Sequence, residues 1–264
     1  MADFNLLDIF TGDFNLITNL KKSLLIICLA AASLISYAQS HNDHKSTITF
    51  GIKGGGNLLR FQETFDNSSG KTKSYNQYGF HAGIYVNINL DDHLAVQPQV
   101  LYTNKAGKLR FLQNSVDRDL EPIIFSGDQK FTLNYLHLPI DVIYKIPVSN
   151  NKFFFGVGPF ISYCLNGKAK AKIYNYTGSN RYLSAGYDGK ATFRYEPGSV
   201  KRFDYGINAI VGFKLRQGFV VSANYDLGLA EIQKDLNYEL FAYPPNPENN
   251  IKTRVASLSI GYEF

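Results

Sequence analysis

Beyond Ser46 apolar and polar residues alternate with a period of two through most of the chain, the repeat of a strand whose two faces meet different surroundings. The clearest run sets Phe80, Ala82, Ile84, Val86, Ile88 and Leu90 against His81, Gly83, Tyr85, Asn87 and Asn89. In the next, Leu94, Val96, Pro98, Val100 and Tyr102 oppose Gln97, Gln99, Thr103 and Lys105, and further on Leu136, Leu138, Ile140, Val142, Tyr144 and Ile146 oppose His137, Asp141 and Lys145. Similar apolar faces run over Phe153–Leu165, Tyr205–Leu215, Phe219–Leu227, Ala256–Phe264 and, near the start, Ile48–Ile52, giving eight predicted strands. Each run offers roughly the 9–11 residues that a tilted strand needs to cross a hydrocarbon layer.

The connections alternate in length. Short ones fall near Asp91–His93, Pro147–Lys152 and Arg216–Gly218, and long ones run over about residues 60–78, 106–131, 167–202 and 228–250. That alternation describes an up-and-down meander, and a closed ring pairs every backbone N–H and C=O, the condition for crossing lipid with strands. The predicted fold is therefore all-β: an eight-stranded antiparallel transmembrane β-barrel over residues 46–264, with both termini at the short-turn end. Pro98, Pro139 and Pro159 fall inside predicted strands; proline lacks the N–H that a ladder needs, so bulges are expected there.

Alternation alone leaves the sense of the barrel open. A soluble lipocalin-like binder would turn the apolar face into a ligand cavity, whereas a membrane barrel turns it to lipid. The other face carries Asn87, Gln97, Gln99, His137, Asp141, Lys145, Asp204, Asn208, Lys214 and Glu263 among glycines, which fits a crowded polar lumen better than a densely charged exterior. The expected interior network comprises His81, Gln97, His137, Asp141, Lys145, Asp204 and Lys214. His137, Asp141 and Lys145 recur every four residues, which admits an acid–base reading for an enzyme acting on lipids. A lumen of this width is filled by side chains and buried ionisable groups must pair, so a structural ladder is the reading taken.

Composition narrows the function classes. The 264 residues include 18 Tyr, 20 Phe and 22 Gly with no Trp, a mix that favours strands and turns. The net charge of +5 is spread without a clustered stripe, so nucleic acid is not an expected partner. There is no nucleophile elbow, phosphate loop or metal spacing among the five histidines, so no catalytic residue, cofactor or metal is expected. Gly54-Gly55-Gly56 lies in a strand and is read as relief of crowding inside a narrow barrel. Lys21-Lys22, the apolar run Leu24–Ile35 and Ser36-Tyr37-Ala38 form a signal peptide in residues 1–38, cleaved after Ala38, followed by a linker over 39–45. Three Asp ahead of that lysine pair point to an over-extended start. Cys28 follows Ile27 rather than a small residue and is not read as lipidated; Cys164 is read as a small strand residue rather than a nucleophile, one thiol without an internal disulfide partner. In the long segment 167–202, Tyr174, Tyr176, Arg181, Tyr182 and Tyr187 are candidate contacts for sugars or anionic lipid head groups, the alternative being an ordinary solvated loop or hairpin extension.

Longer phrases carry a family resemblance. Gly51-Ile52-Lys53-Gly54-Gly55, Gly79-Phe80-His81-Ala82-Gly83, Leu94 to Tyr102, Leu136-His137-Leu138-Pro139-Ile140 and Gly156-Val157-Gly158-Pro159 together resemble the PorT-type outer-membrane β-barrel family of Gram-negative bacteria. The resemblance implies tolerated internal prolines and an outer-membrane location, and it offers no catalytic residue to carry over. The last strand, ending at Phe264, looks like the signal presented to the barrel-insertion machinery. The expected function is structural or interaction-based: an outer-membrane barrel in contact with outer-membrane lipid that offers its loops to a surface ligand or protein and has no wide pore. A lipid-acting enzyme and a soluble periplasmic barrel are the alternatives.

Overall fold

A computed structural model describes residues 48–64, 70–116, 122–177, 180–191, 200–232 and 250–264. The expected leader and signal peptide over 1–38, Cys28, the linker over 39–45 and most of the expected segment 228–250 lie outside the described residues.

The described residues form ten strands: β1 Ile48–Thr64, β2 Gly70–Tyr75, β3 Gln77–Asn89, β4 Leu94–Val116, β5 Pro122–Val148, β6 Asn151–Thr177, β7 Asn180–Lys190, β8 Phe203–Lys214, β9 Phe219–Gly228 and β10 Asn250–Glu263. All pairings are antiparallel, and the neighbours β1–β3–β4–β5–β6–β8–β9–β10 close on themselves through β1–β10. Setting aside β2, which prolongs β3 beyond Asn76 along β4, and β7, which runs beside the far part of β6, leaves the predicted ring of eight. Among the described residues, closure gives each of these eight strands a neighbour on both sides, as lipid requires, while β2 and β7 are each paired on one side alone.

The faces settle the sense of the barrel. Phe50, Ile84, Val142, Phe155 and Ile260 are 60%, 56%, 51%, 46% and 67% exposed, while the polar residues that alternate with them are buried. An apolar exterior around a polar interior belongs to a barrel in lipid, and it rules out the soluble lipocalin-like alternative.

Connections at one end are tight. Ser149-Asn150 links β5 to β6, with Ser149 at φ 55°, and Gly218 at φ 91° closes the β8–β9 turn. At the other end the expected long loops at 106–131 and 167–202 are mostly strand: β4 and β5 stay paired from Leu94↔Tyr144 to Val116↔Pro122, and β6 and β7 from Lys168↔Lys190 to Thr177↔Asn180. These hairpins extend well past the apolar band. They read as loops in sequence because the apolar face that marks the lower strands does not continue into them.

In fact it changes sides. On β5, Leu136, Leu138 and Ile140 face outward, but Phe131, Leu133 and Tyr135 are buried inside. On β1 the outward set Ile48, Phe50 and Ile52 gives way to buried Leu59 and Phe61, and on β10 outward Leu258 and Ile260 give way to buried Val255 and Ile251. Where lipid ends and water begins outside, the hydrophobic effect asks for the opposite arrangement, and the strands supply it. The lumen is thus layered rather than polar throughout. Ala95, Ile143, Phe154, Ile210 and Val220 form an apolar layer towards the turn end, and Leu59, Phe61, Leu109, Phe131, Leu133 and Tyr135 belong to a larger apolar core at the hairpin end. Most of the polar belt lies between, with Lys145 and Lys214 level with the turn-end layer, opposite Phe154 and Val220.

Bulges are not where the prolines are. Pairing resumes in unchanged register on either side of Pro98 and Pro139, and Pro159 stays opposite Ile207. The register shifts instead at Asn134/Tyr135, where Tyr135 is opposite Cys164 and Asn134 opposite Asn166, leaving Leu165 as an extra residue in β6.

Candidate functional site

The expected luminal residues all point inward, but their partners come from around the ring. His137, Asp141 and Lys145 are four residues apart on β5, and at about 3.3 Å per residue that separates neighbours by about 13 Å. No ladder within the trio forms. His137 Nδ1 meets Ser162 Oγ at 2.7 Å and its Nε2 lies 3.5 Å from Asp226, whose other oxygen accepts from Asn208 Nδ2 at 2.6 Å. Asp141 accepts from Gln99 Nε2 at 2.7 Å, and Lys145 donates to Asn89. The acid–base pairing of His137 with Asp141 therefore lacks the contact it needs.

Much of the rest of the belt is paired in the same cross-strand way, while Gln99 Oε1, Thr103 Oγ1, Asp141 Oδ1 and Asp204 Oδ1 are buried without a hydrogen-bond partner. His81 Nδ1 lies 2.6 Å from Asn57 Oδ1 and its Nε2 lies 2.7 Å from Ser259 Oγ. Because Asn57 Nδ2 donates to the carbonyls of Phe80 and Asn104, its oxygen faces the ring as an acceptor; the proton then sits on Nδ1 and Ser259 donates to Nε2. Gln97 Nε2 donates to Asn87 Oδ1, and Asn87 Nδ2 donates to Glu263. Asp204, fully buried, takes Lys105 Nζ at 3.0 Å and Thr253 Oγ1 at 2.9 Å. Lys214 Nζ reaches Glu263 Oε1 at 2.5 Å at the turn end, where Thr49 also donates to that oxygen.

Lys53, Asn57, Lys105 and Asp226 belong to this belt although sequence reasoning left them out of the expected network. The signal that could have found them is the inward parity of Lys53 on β1 and of Asp226 on β9, two chargeable residues on otherwise polar faces. One luminal cavity of about 20 Å³ is bordered by Lys53, Asn57, His81, His137 and Asp226. It has room for a water molecule and not for a solute.

The five candidate loop residues lie on the β6–β7 hairpin and do not share one side of it. Register sets Tyr176 opposite Arg181 and Tyr174 opposite Leu183, whereas Tyr182 and Tyr187 occupy the alternate positions opposite Asn175 and Ala171. Tyr182 is 56% exposed. On the neighbouring β4–β5 hairpin Asp128 takes the Arg110 guanidinium through both oxygens, at 2.6 and 3.0 Å, and Lys108 at 3.3 Å. The Arg110 hydrogen bonds, with Lys108 beside them, hold the Asp128 carboxyl below the usual carboxylate range. Cys164 is buried in the hairpin-end core, as a strand residue.

Residues 37–234 match the family described as outer membrane protein beta-barrel domain. No match is found among curated proteins. Solved structures are similar to this chain at low identity. Ail, the attachment invasion locus protein of Yersinia pestis, solved in complex with the heparin analogue sucrose octasulfate, is 14% identical, with 82% of this chain and 99% of that chain covered and a TM-score of 0.34. Neisserial surface protein A is 11% identical, with 83% and 99% covered and a TM-score of 0.35. OprG of Pseudomonas aeruginosa is 11% identical, with 83% and 97% covered and a TM-score of 0.45.

Proposed function

This chain belongs to the outer membrane protein beta-barrel domain family, and from that premise we propose that it is a membrane-anchored scaffold, without a pore and without catalysis, whose hairpins are offered to a surface ligand or protein. The observation that carries the reading is the filled lumen: a hydrogen-bonded polar belt between two apolar layers. Water-filled channels are built from many more strands than eight, and an eight-stranded interior is occupied by its own side chains. What remains available to partners is the hairpin end. The separate partners of His137 and Asp141 speak against the lipid-acting enzyme.

Two finer readings belong with this proposal. The quoted glycine and proline phrases support PorT-type membership within the broader family. The outward apolar face of β10, Leu258 and Ile260, continued by exposed Phe264 just past the strand, supports recognition by the barrel-insertion machinery.

The test is ion conduction by the refolded full-length barrel in planar bilayers, after heat-modifiable gel mobility has established that it is folded. A filled lumen yields no stepwise current. Reproducible open-channel steps from the heat-modifiable species would overturn the poreless reading.

A further inference from the structure

The outward wall of the hairpin end is cationic in a way that strand pairing by itself disfavours. Residues directly opposite each other on neighbouring strands point to the same side about 5 Å apart, and like charges there repel. Yet Lys108 of β4 is opposite Lys130 of β5, and Lys130 is opposite Lys170 of β6. One row nearer the apolar band, Lys168 is opposite Lys190 of β7, and across the barrel Arg60 of β1 is opposite Arg254 of β10.

The extra residue Leu165 creates this alignment. Below it the odd-numbered residues of β6, such as Phe155 and Val157, face outward; above it Asn166, Lys168, Lys170 and Lys172 do. The acidic groups in the wall are already engaged, Asp128 by Arg110 and Lys108, and Asp188 by Lys170 at 2.7 Å. Lys130, Lys168 and Lys172 are exposed and have no carboxylate partner among the described residues. The turn end shows no such surplus, since Asp91 and Asp92 stand there with Lys152 and Arg216.

Height identifies the partner. The apolar band ends on this side at Tyr102, Leu136 and Leu165, and directly above it Asn104, Asn134 and Asn166 are joined by side-chain hydrogen bonds of 2.6 and 2.7 Å. Lys168 and Lys170 stand two and four residues beyond Asn166, or roughly 5 and 10 Å higher for strands tilted by about 40°. A bilayer's polar layer spans about 5–8 Å on each side of its hydrocarbon. The Lys168 row thus lies at head-group depth and the Lys130–Lys170 row just beyond it, within the reach of a lysine side chain, on the same strand faces that meet lipid below.

We propose that this wall binds the phosphates of phosphorylated glycolipids in the leaflet around the barrel. The inference rests on the membrane-spanning reading above. A layer of phosphates beside the strands supplies the counter-charge that Lys130 and Lys168 lack among the described residues, and the lateral placement of the rows favours lipid over a soluble polyanion arriving at the hairpin tips.

The test is native mass spectrometry of the full-length barrel in detergent, titrated with bisphosphorylated lipid A and with its dephosphorylated form. Wild type retains the phosphorylated lipid preferentially. Replacing Lys130→Gln and Lys168→Gln together, which leaves every ion pair of the wall in place, lowers that affinity on the order of 30-fold, from about 1 kcal/mol per lysine near an anionic surface. The corresponding double Lys→Arg variant retains it. Equal retention of the two lipids by wild type, an undiminished preference in the glutamine variant, or binding of dextran sulfate without any lipid preference would each overturn the proposal. Heat-modifiable mobility of every variant separates these outcomes from failure of the barrel itself.

Discussion

At the scale of single residues, the lumen is governed by what fits beside what. Gly51 is opposite Tyr85 across β1 and β3, and a Cβ at Gly51 would lie 2.2 Å from the Tyr85 ring. Tyr85 is buried there, so its ring covers the glycine and fills the barrel at that level. Gly51→Ala is expected to destabilise by about 1–3 kcal/mol through overpacking. Urea unfolding of the barrel in lipid vesicles measures it, with Tyr85→Ala in the same chain recovering most of the loss; an unchanged midpoint in the single variant would refute the contact. The sequence points to crowding at Gly54-Gly55-Gly56 instead, yet a Cβ at Gly56 would meet nothing within 4 Å and one at Gly54 only ordinary contacts at 3.5 Å; of the three only Gly55, 1.9 Å from the Leu258 carbonyl oxygen, is crowded. The luminal network was legible in the same partial way. Parity placed His81, Gln97, His137, Asp141, Lys145, Asp204 and Lys214 inside, whereas pairing within the His137-Asp141-Lys145 trio was excluded by strand rise alone.

At the scale of elements, β5 shows how one strand serves two surroundings. Its segment Phe131-Thr132-Leu133-Asn134-Tyr135-Leu136-His137-Leu138 slips phase at Tyr135/Leu136, which a search for one unbroken alternation reads as the start of a strand. The slip is the boundary between a wall in water and a wall in lipid. Val142 and Thr132 lie on the same outward face, on opposite sides of that boundary. Val142→Arg is therefore expected to cost about 2–4 kcal/mol in a bilayer, and Thr132→Arg close to nothing. Unfolding titrations in lipid vesicles compare the two, and equal costs would place the boundary elsewhere. The predicted strand order and tight turns hold in the structure. The hairpins were missed because their faces carry the reverse polarity, and the bulge at Leu165 because one extra residue leaves little mark in a pattern that is changing phase anyway.

At the scale of the whole molecule, the tight turns and both ends of the barrel lie together, and the hairpins lie opposite. In outer-membrane barrels the tight turns face the periplasm, so the hairpins stand outside the cell. A cysteine introduced as Lys130→Cys should react with an impermeant maleimide on intact cells, and one introduced as Asp92→Cys only after the outer membrane is permeabilised. The reverse pattern would invert the topology. Cys164, with no exposed surface, does not contribute to the signal. What the sequence determined by itself is the eight-fold alternation, its antiparallel order and the presence of one polar and one apolar face, because a period of two is a local property of extended backbone. Only the tertiary structure decided which face meets the outside, where polarity reverses along a strand, which luminal groups pair and how lysines from four strands come to share one wall. Those outcomes depend on ring closure and on inter-strand register, which residues far apart in the chain fix jointly.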